Sequence, residues 1–372
     1  MLVTVTGVRE RMAAPAKQAV GRVPLVDALE LGPGVWDGLL ASSPFMTWAW
    51  HRAWAEAAAR NDVDSSQVVV VRSATANVEA LFPFRVHGTW FRGAPVTAIG
   101  WAVGDLGSPD HLDLLASPEA DLDVLVAALD DVPWGIVRLD CVAEAAPNLE
   151  RFRGACERRG WTVRQHRRWR CPYLDLPDSW ETYLSSLSAH GRHAIRRKER
   201  KLFREHNAVL TEYGPERLEE GLLHLERLHA LRWDGGGAFR DPAVSRLHRR
   251  FAADLADRGQ LWLVTLDLDR APAAAWYGFT HGDTVYHYQS GRDPRWERDR
   301  VGTVLVGVMI RRAIERGFRK LDFLRGDEQY KAEWTLTSRP CYEVVVFRPG
   351  WRGVALRGLD SLYQLARRLA GK

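Results

Sequence analysis

The spacing of apolar residues alternates between a helical and a strand period along the chain, and these changes outline its elements. Trp50 and Trp54 lie four positions apart within a helical pattern, so they share one face. Short runs such as QVVVVR (67–72) have the composition of strands and are bounded by turn residues. The elements predicted for the first half are a helix at 26–60, strands at 67–72, 78–86 and 90–101, a helix at 121–129, a strand at 135–142, a helix at 148–159 and a strand at 161–176.

The second half repeats this order of elements with different residues. It opens at Asp178 and Ser179, which are good helix caps, before a continuous helical pattern. Its predicted elements are a helix at 180–205, a strand at 208–213, helices at 215–233 and 242–257, strands at 261–267, 271–281 and 284–291, a helix at 301–316, a strand at 320–324, a short helix at 327–334 and a strand at 342–347.

The repetition predicts two α/β units, each a mixed, mostly antiparallel sheet flanked by helices. The first unit covers 25–177 and the second covers 178–350. An irregular leader (1–24) precedes them, and a C-terminal helix (351–372) follows.

Composition and charge narrow the class of protein. The chain has 372 residues, of which 46% are hydrophobic and 27% charged, which is typical of a globular protein and excludes a mainly disordered one. No stretch approaches the roughly 18 apolar residues of a membrane span, and no secretory signal is present. We therefore expect a cytoplasmic protein without a membrane partner. The 52 basic and 47 acidic residues are dispersed, so they produce no field of a single sign.

The four cysteines suggest neither a disulfide framework nor a metal site. Cys141, Cys156, Cys171 and Cys341 form no C-x-x-C pair, and no histidine stands at metal-ligand spacing from them. None lies in a sequence context that would activate it as a nucleophile. We expect buried, reduced thiols and no bound metal.

A candidate anion site precedes the helix predicted at 301–316. A strand ends near Gly291, a loop rich in arginine follows, and the helix opens near Gly302 and Thr303. The first backbone N–H groups of a helix bind anions, helped by the positive end of the helix dipole. The loop could therefore receive a pyrophosphate or a phosphodiester. The alternative is a solvated arginine-rich loop that caps a buried helix.

Several motifs resemble the second domain of the GNAT-like acyltransferases of the CelD-like family, which is associated with cellulose biosynthesis. They are YLSSLSAHGRHAIRRKERKL (183–202), YHYQSGRDP (286–294), VGTVL (301–305), AIERG (313–317) and, above all, DFLRGDEQYKAEW (322–334). SSPFMTWAWHRAW (42–54) extends the resemblance more weakly to the first half. Related Fem-type enzymes transfer amino acids from charged tRNA. The resemblance implies a tandem GNAT fold and transfer of an acyl group to an amine.

In GNAT enzymes, a loop of the form Gln/Arg-x-x-Gly-x-Gly/Ala holds the pyrophosphate of coenzyme A. The best alignment here is RDRVGT (298–303), which places Val301 at the position of the first glycine. The cofactor-binding residues implied by the resemblance are Arg298, Arg300, Val301, Gly302 and Thr303. The valine favours a donor other than coenzyme A, or a loop of altered shape.

The expected catalytic residues lie in or near the last motif. The attacking amine must lose a proton, and the leaving group must gain a proton or a cation. Tyr330 could protonate a departing thiolate, and Lys331 could stabilise a departing ribose oxygen or phosphate; the alternatives are a packed tyrosine and a surface lysine. Asp327 could be a base or a helix cap. His287 has the pKa range of a base, although a single strand histidine is more often structural.

Aromatic and basic residues near these groups are the expected substrate contacts. Tyr286 and Tyr288 share one face of a strand, and Gln289 lies on the other. Arginines at 192, 196 and 200 fall on one helical stripe, which could contact a phosphate-rich donor such as tRNA or could be a solvated face. The predicted substrate-binding residues are Trp276, Tyr286, Tyr288, Gln289, Arg232, Trp233, Arg192 and Arg196.

The leading prediction is an N-acyltransferase that moves an acyl group from an acyl-CoA-type thioester to a small-molecule or peptide amine by direct attack in a ternary complex. Two alternatives remain open. One is aminoacyl transfer with aminoacyl-tRNA as donor, and the other is a non-catalytic binding module on a GNAT scaffold. The sequence does not fix the oligomeric state.

Overall fold

One mixed sheet runs through the residues described by the computed structural model, which are 18–39 and 43–370. Its 13 strands within those residues are β1 (Ala19–Pro24), β2 (Ser66–Arg72), β3 (Val78–Phe91), β4 (Ala94–Trp101), β5 (Leu115–Ala116), β6 (Ile136–Val142), β7 (Thr162–Asp175), β8 (Val209–Glu212), β9 (Leu261–Leu268), β10 (Ala271–His281), β11 (Thr284–Arg292), β12 (Lys320–Asp322) and β13 (Ser338–Phe347). The order is β1-β2-β3-β4-β6-β13-β7-β12-β11-β10-β9-β8, with β5 paired to β3. Only β4 with β6 and β11 with β12 pair in parallel among these strands, which confirms the predicted mixed, mostly antiparallel sheet.

Helices cover both faces of this sheet. In chain order they are α1 (Leu25–Leu29), α2 (Gly32–Gly38), α3 (Trp48–Ala57), α4 (Arg60–Asp64), α5 (Leu122–Ala127), α6 (Pro147–Arg158), α7 (Trp180–Ser186), α8 (Ala189–Glu205), α9 (Leu218–Arg232), α10 (Pro242–Asp257), α11 (Val301–Glu315), α12 (Gln329–Ala332) and α13 (Trp351–Leu369). Short 3-10 turns lie at Pro44–Met46, Pro215–Arg217, Ala238–Arg240 and Pro294–Asp299. None of the described helices has both the length and the apolar character needed to cross a bilayer.

Three segments differ from the prediction. The helix expected over 26–60 is divided into α1, α2 and α3, because Thr47 is extended and its side chain caps the start of α3, while the extended Ala58 ends α3 before α4. The helix expected over 180–205 is divided into α7 and α8, because Leu187 is extended and the Ser188 side chain accepts a hydrogen bond from the Gly191 N–H at 3.1 Å. Residues 19–24, expected in an irregular leader, form the strand β1 instead. The side chains of β1 are mostly exposed, and backbone pairing with β2 holds the strand in place. Its sequence therefore shows no alternation of apolar and polar residues. The rest of that leader, residues 1–17, lies outside the described residues.

The last strand of the chain inserts into the sheet of the first half. β13 lies between β6 and β7, with antiparallel pairing on both sides. β7 pairs with β13 along 162–172 and with β12 along 173–175, so this one strand joins the sheets of the two halves.

Aromatic side chains from both halves meet in a shared core. Phe45 and Trp50 from the first half lie 4.8 Å apart between ring centroids. Phe45 lies 5.8 Å from Phe279, and Trp50 lies 4.9 Å from Phe251. Trp50 and Trp54 are both buried, as their shared helical face predicts. Each aromatic pair at such a distance contributes about 0.5–1.5 kcal/mol of stability beyond that of apolar burial. The cluster therefore stabilises the contact between the two halves.

Candidate functional site

A cavity lies beside the far end of β11, beyond the part of this strand that pairs with β12, and residues of β10, α9, α11 and α12 complete its lining. β11 and β12 pair only along 284–286 and 320–322. Beyond this point β11 continues to Arg292, while the chain after β12 turns away through Leu324, whose φ is +58°. The cavity has a volume of about 290 Å³. Six of the predicted site residues line it, namely Arg232, Trp276, Arg300, Gly302, Thr303 and Tyr330.

The start of α11 forms one wall of the cavity. Arg300 adopts the left-handed conformation (φ 55°, ψ 38°) and turns the chain into the helix. The hydrogen bonds of the helix begin with the one from the Val304 N–H to the Arg300 carbonyl, at 3.0 Å. The N–H groups of residues 301–303 come before it and therefore have no partner within the helix. The Val301 side chain is buried in the core of the second half and does not line the cavity. The valine therefore leaves this anion position unobstructed.

Three arginines face the cavity, and each has a protein partner. Arg292 pairs with Glu297, and Arg300 pairs with Glu333 at 2.5 Å. Arg232 donates to the hydroxyl of Ser290 at 2.5 Å. The wall near α11 therefore carries three guanidinium groups and two carboxylates, an excess of positive charge.

The end of α9 packs closely against β11, and this contact places Arg232 at the cavity. A Cβ on Gly291 would lie 2.4 Å from main-chain atoms of Leu228 and His229, so only glycine allows this contact. Arg232 follows one helical turn after Leu228, at the C-terminal end of α9.

His229 also holds α9 against β11, and the sequence pattern did not identify this residue. Its Nδ1 donates to the carbonyl of Ser290 at 3.0 Å, and its Nε2 accepts from the N–H of Ala238 at 3.2 Å. These partners set the tautomer of a neutral imidazole. The available signal was the triple glycine at 235–237, since Gly237 has a φ of +91° and comes so close to the ring that a Cβ would collide with it.

His287 lies buried beside the cavity, stacked on Trp276 with 3.9 Å between ring centroids and 8° between planes. The Tyr330 ring lies 6.2 Å away. Among the described residues, neither ring nitrogen of His287 has a hydrogen-bond partner. Burial, followed by the charges of Lys331 and Arg232, holds the pKa of His287 well below its usual range. The role of general base for this residue stays a prediction, and its burial works against it.

Tyr330 is the predicted catalytic residue that the structure places in the cavity lining. The guanidinium of Arg232 lies 5.5 Å from the centre of its ring. Burial, reinforced by the charge of Glu328, raises the pKa of the phenol, so the hydroxyl keeps its proton at neutral pH. A protonated phenol here can donate a hydrogen bond to a departing thiolate and so stabilise its negative charge.

Lys331 points away from the cavity. Its Nζ donates to the carbonyls of residues 324, 325 and 326 at 3.3, 2.9 and 3.4 Å, and it lies 2.7 Å from a carboxylate oxygen of Glu328. It is therefore neither a surface residue nor a cavity residue, but a buried cation that holds the loop before α12. Asp327 is exposed, and Glu328 rather than Asp327 directly precedes α12.

Tyr286 and Tyr288 share a face, as predicted, but that face packs towards the first half. Both rings contact Phe279, at 6.0 and 5.7 Å between centroids. The Tyr288 hydroxyl donates to the carbonyl of Gly107 and lies 2.9 Å from Nε2 of His248. Burial raises the pKa of Tyr288 and lowers that of His248 to about 3. These tyrosines join the two halves and do not line the cavity.

The other predicted substrate contacts are dispersed. Gln289 is half-buried and outside the cavity lining, and Trp233 is exposed with the Arg232 guanidinium 5.0 Å from its ring. Arg192 donates to the carbonyls of residues 184, 185 and 187 at 3.4, 3.2 and 2.8 Å, so it caps the C-terminal end of α7. Arg196 is exposed on α8.

A basic groove of about 750 Å³ adjoins the cavity, between α8 and the turn before α11. Arg300 lines both spaces. The acidic residues in its lining are Glu205 and Asp299, and Asp299 is paired with Lys201 at 2.7 Å. The basic residues that line the groove are Arg197, Lys198, Arg200, Lys201, Arg204, Arg298 and Arg300. Arg200 also lines a second groove of about 660 Å³ together with Arg192 and Arg196, so the three predicted arginines share one surface although Arg192 also caps α7.

Asp322 anchors a buried polar cluster behind the cavity. Its carboxylate lies 3.2 Å from Nε2 of His111, pairs with Arg339, and accepts from the N–H of Leu324 at 2.7 Å. Burial alone would raise the pKa of Asp322, but His111 and then Arg339 hold it at about 2.

The cysteines are buried and free, as expected. Cys341 Sγ lies 3.4 Å from Cys171 Sγ and 3.6 Å from Nδ1 of His111. Sequence spacing gave no sign of this cluster, because the fold brings the three residues together from distant parts of the chain.

Residues 189–332 match the family model described as an acetyltransferase (GNAT) domain. This match runs from α8 to α12 and includes every element that builds the cavity, so the second half contains a GNAT-type domain. A search of curated protein sequences found no match. The narrower resemblance to the cellulose-associated family stays a prediction.

Solved structures share the fold over both halves. The C-terminal domain (DUF2156) of a putative lysylphosphatidylglycerol synthetase from Agrobacterium fabrum aligns with a TM-score of 0.51 and 11% identity, covering 90% of this chain and 96% of that one. A conserved protein of unknown function from Bacteroides thetaiotaomicron aligns with a TM-score of 0.52 and 11% identity, covering 81% and 90%. At such low identity, these likenesses establish the GNAT-like fold alone.

Proposed function

We propose that this protein is an N-acyltransferase that binds an acyl-CoA-type thioester in the cavity between the far end of β11 and the start of α11. The observation that carries the proposal is that β11 leaves β12 after residue 286 and then borders, together with the open start of α11, one cavity inside the region that matches the GNAT domain model. A cavity that joins an unpaired strand edge to a helix N-terminus suits a donor with an acyl group at one end and a pyrophosphate at the other.

The donor is held at two points. Its pyrophosphate lies at the first N–H groups of α11, near Arg300 and Arg292, where the helix dipole and the guanidinium groups favour negative charge. Its thioester lies along β11 beyond residue 286, where the strand no longer pairs with β12. Backbone N–H groups on such an edge can stabilise the oxyanion that forms during attack.

The reaction proceeds by direct attack. The neutral amine adds to the thioester carbonyl, the C–N bond forms, and the oxyanion collapses with cleavage of the C–S bond. The amine proton leaves through water, and the departing thiolate, stabilised by a hydrogen bond from the phenol of Tyr330, takes up a proton from that water. The products are an amide and a free thiol.

A second candidate, aminoacyl transfer from charged tRNA, is favoured by the basic groove. The groove is contiguous with the cavity through Arg300 and carries seven basic side chains. The synthetase from Agrobacterium is named for a product that carries a lysyl group. A tRNA donor would bind with a steep dependence on salt, whereas binding of an acyl-CoA would depend on salt only weakly.

Replacement of Tyr330 by phenylalanine tests the proposal. Thiol release from a panel of acyl-CoA thioesters with amine acceptors should show a fall in kcat of about 10²–10⁴-fold for Tyr330→Phe, with little change in KM. Tyr342→Phe, a half-buried tyrosine outside the cavity lining, is the matched control and should keep the full rate. Equal rates for Tyr330→Phe and the parent would show that Tyr330 has no part in the reaction. Absence of turnover with every thioester, together with salt-sensitive binding of tRNA, would favour the second candidate.

A further inference from the structure

The C-terminal helix α13 turns its polar side towards the protein. Asp360 is fully buried and lies 3.0 Å from Arg92, 3.1 Å from Arg164 and 2.9 Å from His166. Gly353 is also buried, and a Cβ there would collide with a main-chain carbonyl. The close contact is with Arg348, in the turn before α13, and the ion-pair cluster of Asp360 holds the helix against the sheet.

The outward side of α13 is apolar. Its exposed fractions are 76% for Trp351, 55% for Val354, 65% for Leu362, 54% for Leu365 and 82% for Leu369. These residues recur at helical spacing, so they form one stripe along a helix of 19 residues. A helix of a globular protein normally buries such a stripe. A continuous exposed apolar face of this kind marks an interaction surface.

The exposed charges beside this stripe have one sign. Arg352 and Arg368 are exposed near the two ends, whereas the single acidic residue of the helix, Asp360, is buried and paired. If two copies packed these faces together, α13 would bring positively charged side chains to the contact and no carboxylate to offset them, because Asp360 is buried and already paired. A negatively charged surface therefore suits this face better.

We infer that α13 lies on the surface of a bilayer that contains anionic phospholipids, with its apolar stripe among the acyl chains and its arginines at the headgroups. Trp351, at the start of the stripe, is a residue type favoured at this boundary. The sequence-based expectation of no membrane partner rested on the lack of a spanning segment, which an interfacial helix does not require. The inference is independent of the proposed acyl transfer.

Co-sedimentation of the full chain with vesicles tests it. The protein should bind phosphatidylcholine vesicles that contain phosphatidylglycerol, bind pure phosphatidylcholine less well, and lose affinity as salt rises. Leu362→Gln with Leu365→Gln should lower the partition coefficient by roughly tenfold or more, since two leucines no longer enter the apolar layer. Arg352→Gln with Arg368→Gln should abolish most of the preference for phosphatidylglycerol.

Leu336→Gln is the matched control, because Leu336 is 87% exposed and lies outside α13; it should bind as the parent does. All substituted residues are exposed, and a melting curve confirms that each variant is folded. Failure to bind phosphatidylglycerol vesicles at low salt, or equal binding by the double leucine variant, would overturn the inference. A dimer in solution that dissociates in that variant would show that a second copy covers the face, which would also overturn it.

Discussion

Lys331 offers a sharp test of how the loop beside the cavity is held. Its buried ammonium binds three consecutive carbonyls, at 324–326, and contacts Glu328. Lys331→Met keeps most of the apolar stem but removes the charge and every donor. We predict a loss of stability, because three carbonyl groups of the loop lose their partner.

The distances set the size of this loss. The bond at 2.9 Å to the Arg325 carbonyl is a full charge-assisted hydrogen bond, for which about 1.5–3 kcal/mol is typical. The contacts at 3.3 and 3.4 Å are long, so together they add about 1 kcal/mol, the value of one ordinary hydrogen bond. Glu328 is partly exposed, so its pair adds at most about 1 kcal/mol, and the methionine recovers a similar amount through burial. The net loss is about 3 kcal/mol.

Urea unfolding at neutral pH, followed by tryptophan fluorescence, measures the free energy of unfolding. Lys320→Met is the control, since Lys320 has a distant pair at 3.9 Å with Asp175 and a contact at 5.0 Å with the ring of Tyr173, and should change stability by less than about 1 kcal/mol. A Lys331→Met variant within about 1 kcal/mol of the parent would refute the structural role. If that stable variant also lost turnover, the earlier prediction of a catalytic lysine would be supported instead.

Two further predictions concern the junction at α9 and the buried ion pair. Gly291→Ala should cost at least about 3 kcal/mol in urea unfolding, because a Cβ would lie 2.4 Å from main-chain atoms of α9; Gly88→Ala, with no atom within 4 Å, is the control, and equal costs would contradict the close approach. Although burial alone would lower the pKa of His111, Asp322 raises it to about 10, while Asp322 itself is held at about 2. The pair's stabilisation should therefore be complete between about pH 4 and 6.5 and fade as pH rises towards 10 or falls towards 2. Thermal melting against pH should show both flanks for the parent and a flatter profile for Asp322→Asn, whereas a parent profile no steeper than the variant's would refute this assignment.

Most helices and strands could be predicted from the sequence, because the alternation or helical spacing of apolar residues shows which side chains are buried. The strand run at 67–72 and the shared face of Trp50 and Trp54 are examples. The strand β1 escaped detection because an exposed edge strand is held by its backbone and needs no apolar pattern. The position of β13 between β6 and β7 could not be predicted either, because local sequence does not show which distant strands will pair.

The candidate site was readable only in part. The start of α11 and Tyr330 were found because motif and local geometry coincide there. Lys331 follows Tyr330 directly, yet its side chain turns into the loop, an orientation that spacing does not determine. The triple glycine at 235–237 marks the turn that packs on the ring of His229, but the contact with the end of β11, 61 residues further along the chain, leaves no local signal.

The central claim, that an acyl-CoA-type donor binds in the cavity with its pyrophosphate at the start of α11, is tested most directly by isothermal titration calorimetry. At Gly302 a Cβ would meet only the Arg292 side chain, at an ordinary 3.5 Å, so both Gly302→Ala and Gly302→Glu should fold. We predict saturable binding of an acyl-CoA thioester to one site, retained in Gly302→Ala and weakened at least about tenfold in Gly302→Glu, whose carboxylate repels the pyrophosphate. Binding of no thioester, or equal affinity in Gly302→Glu, would contradict the account.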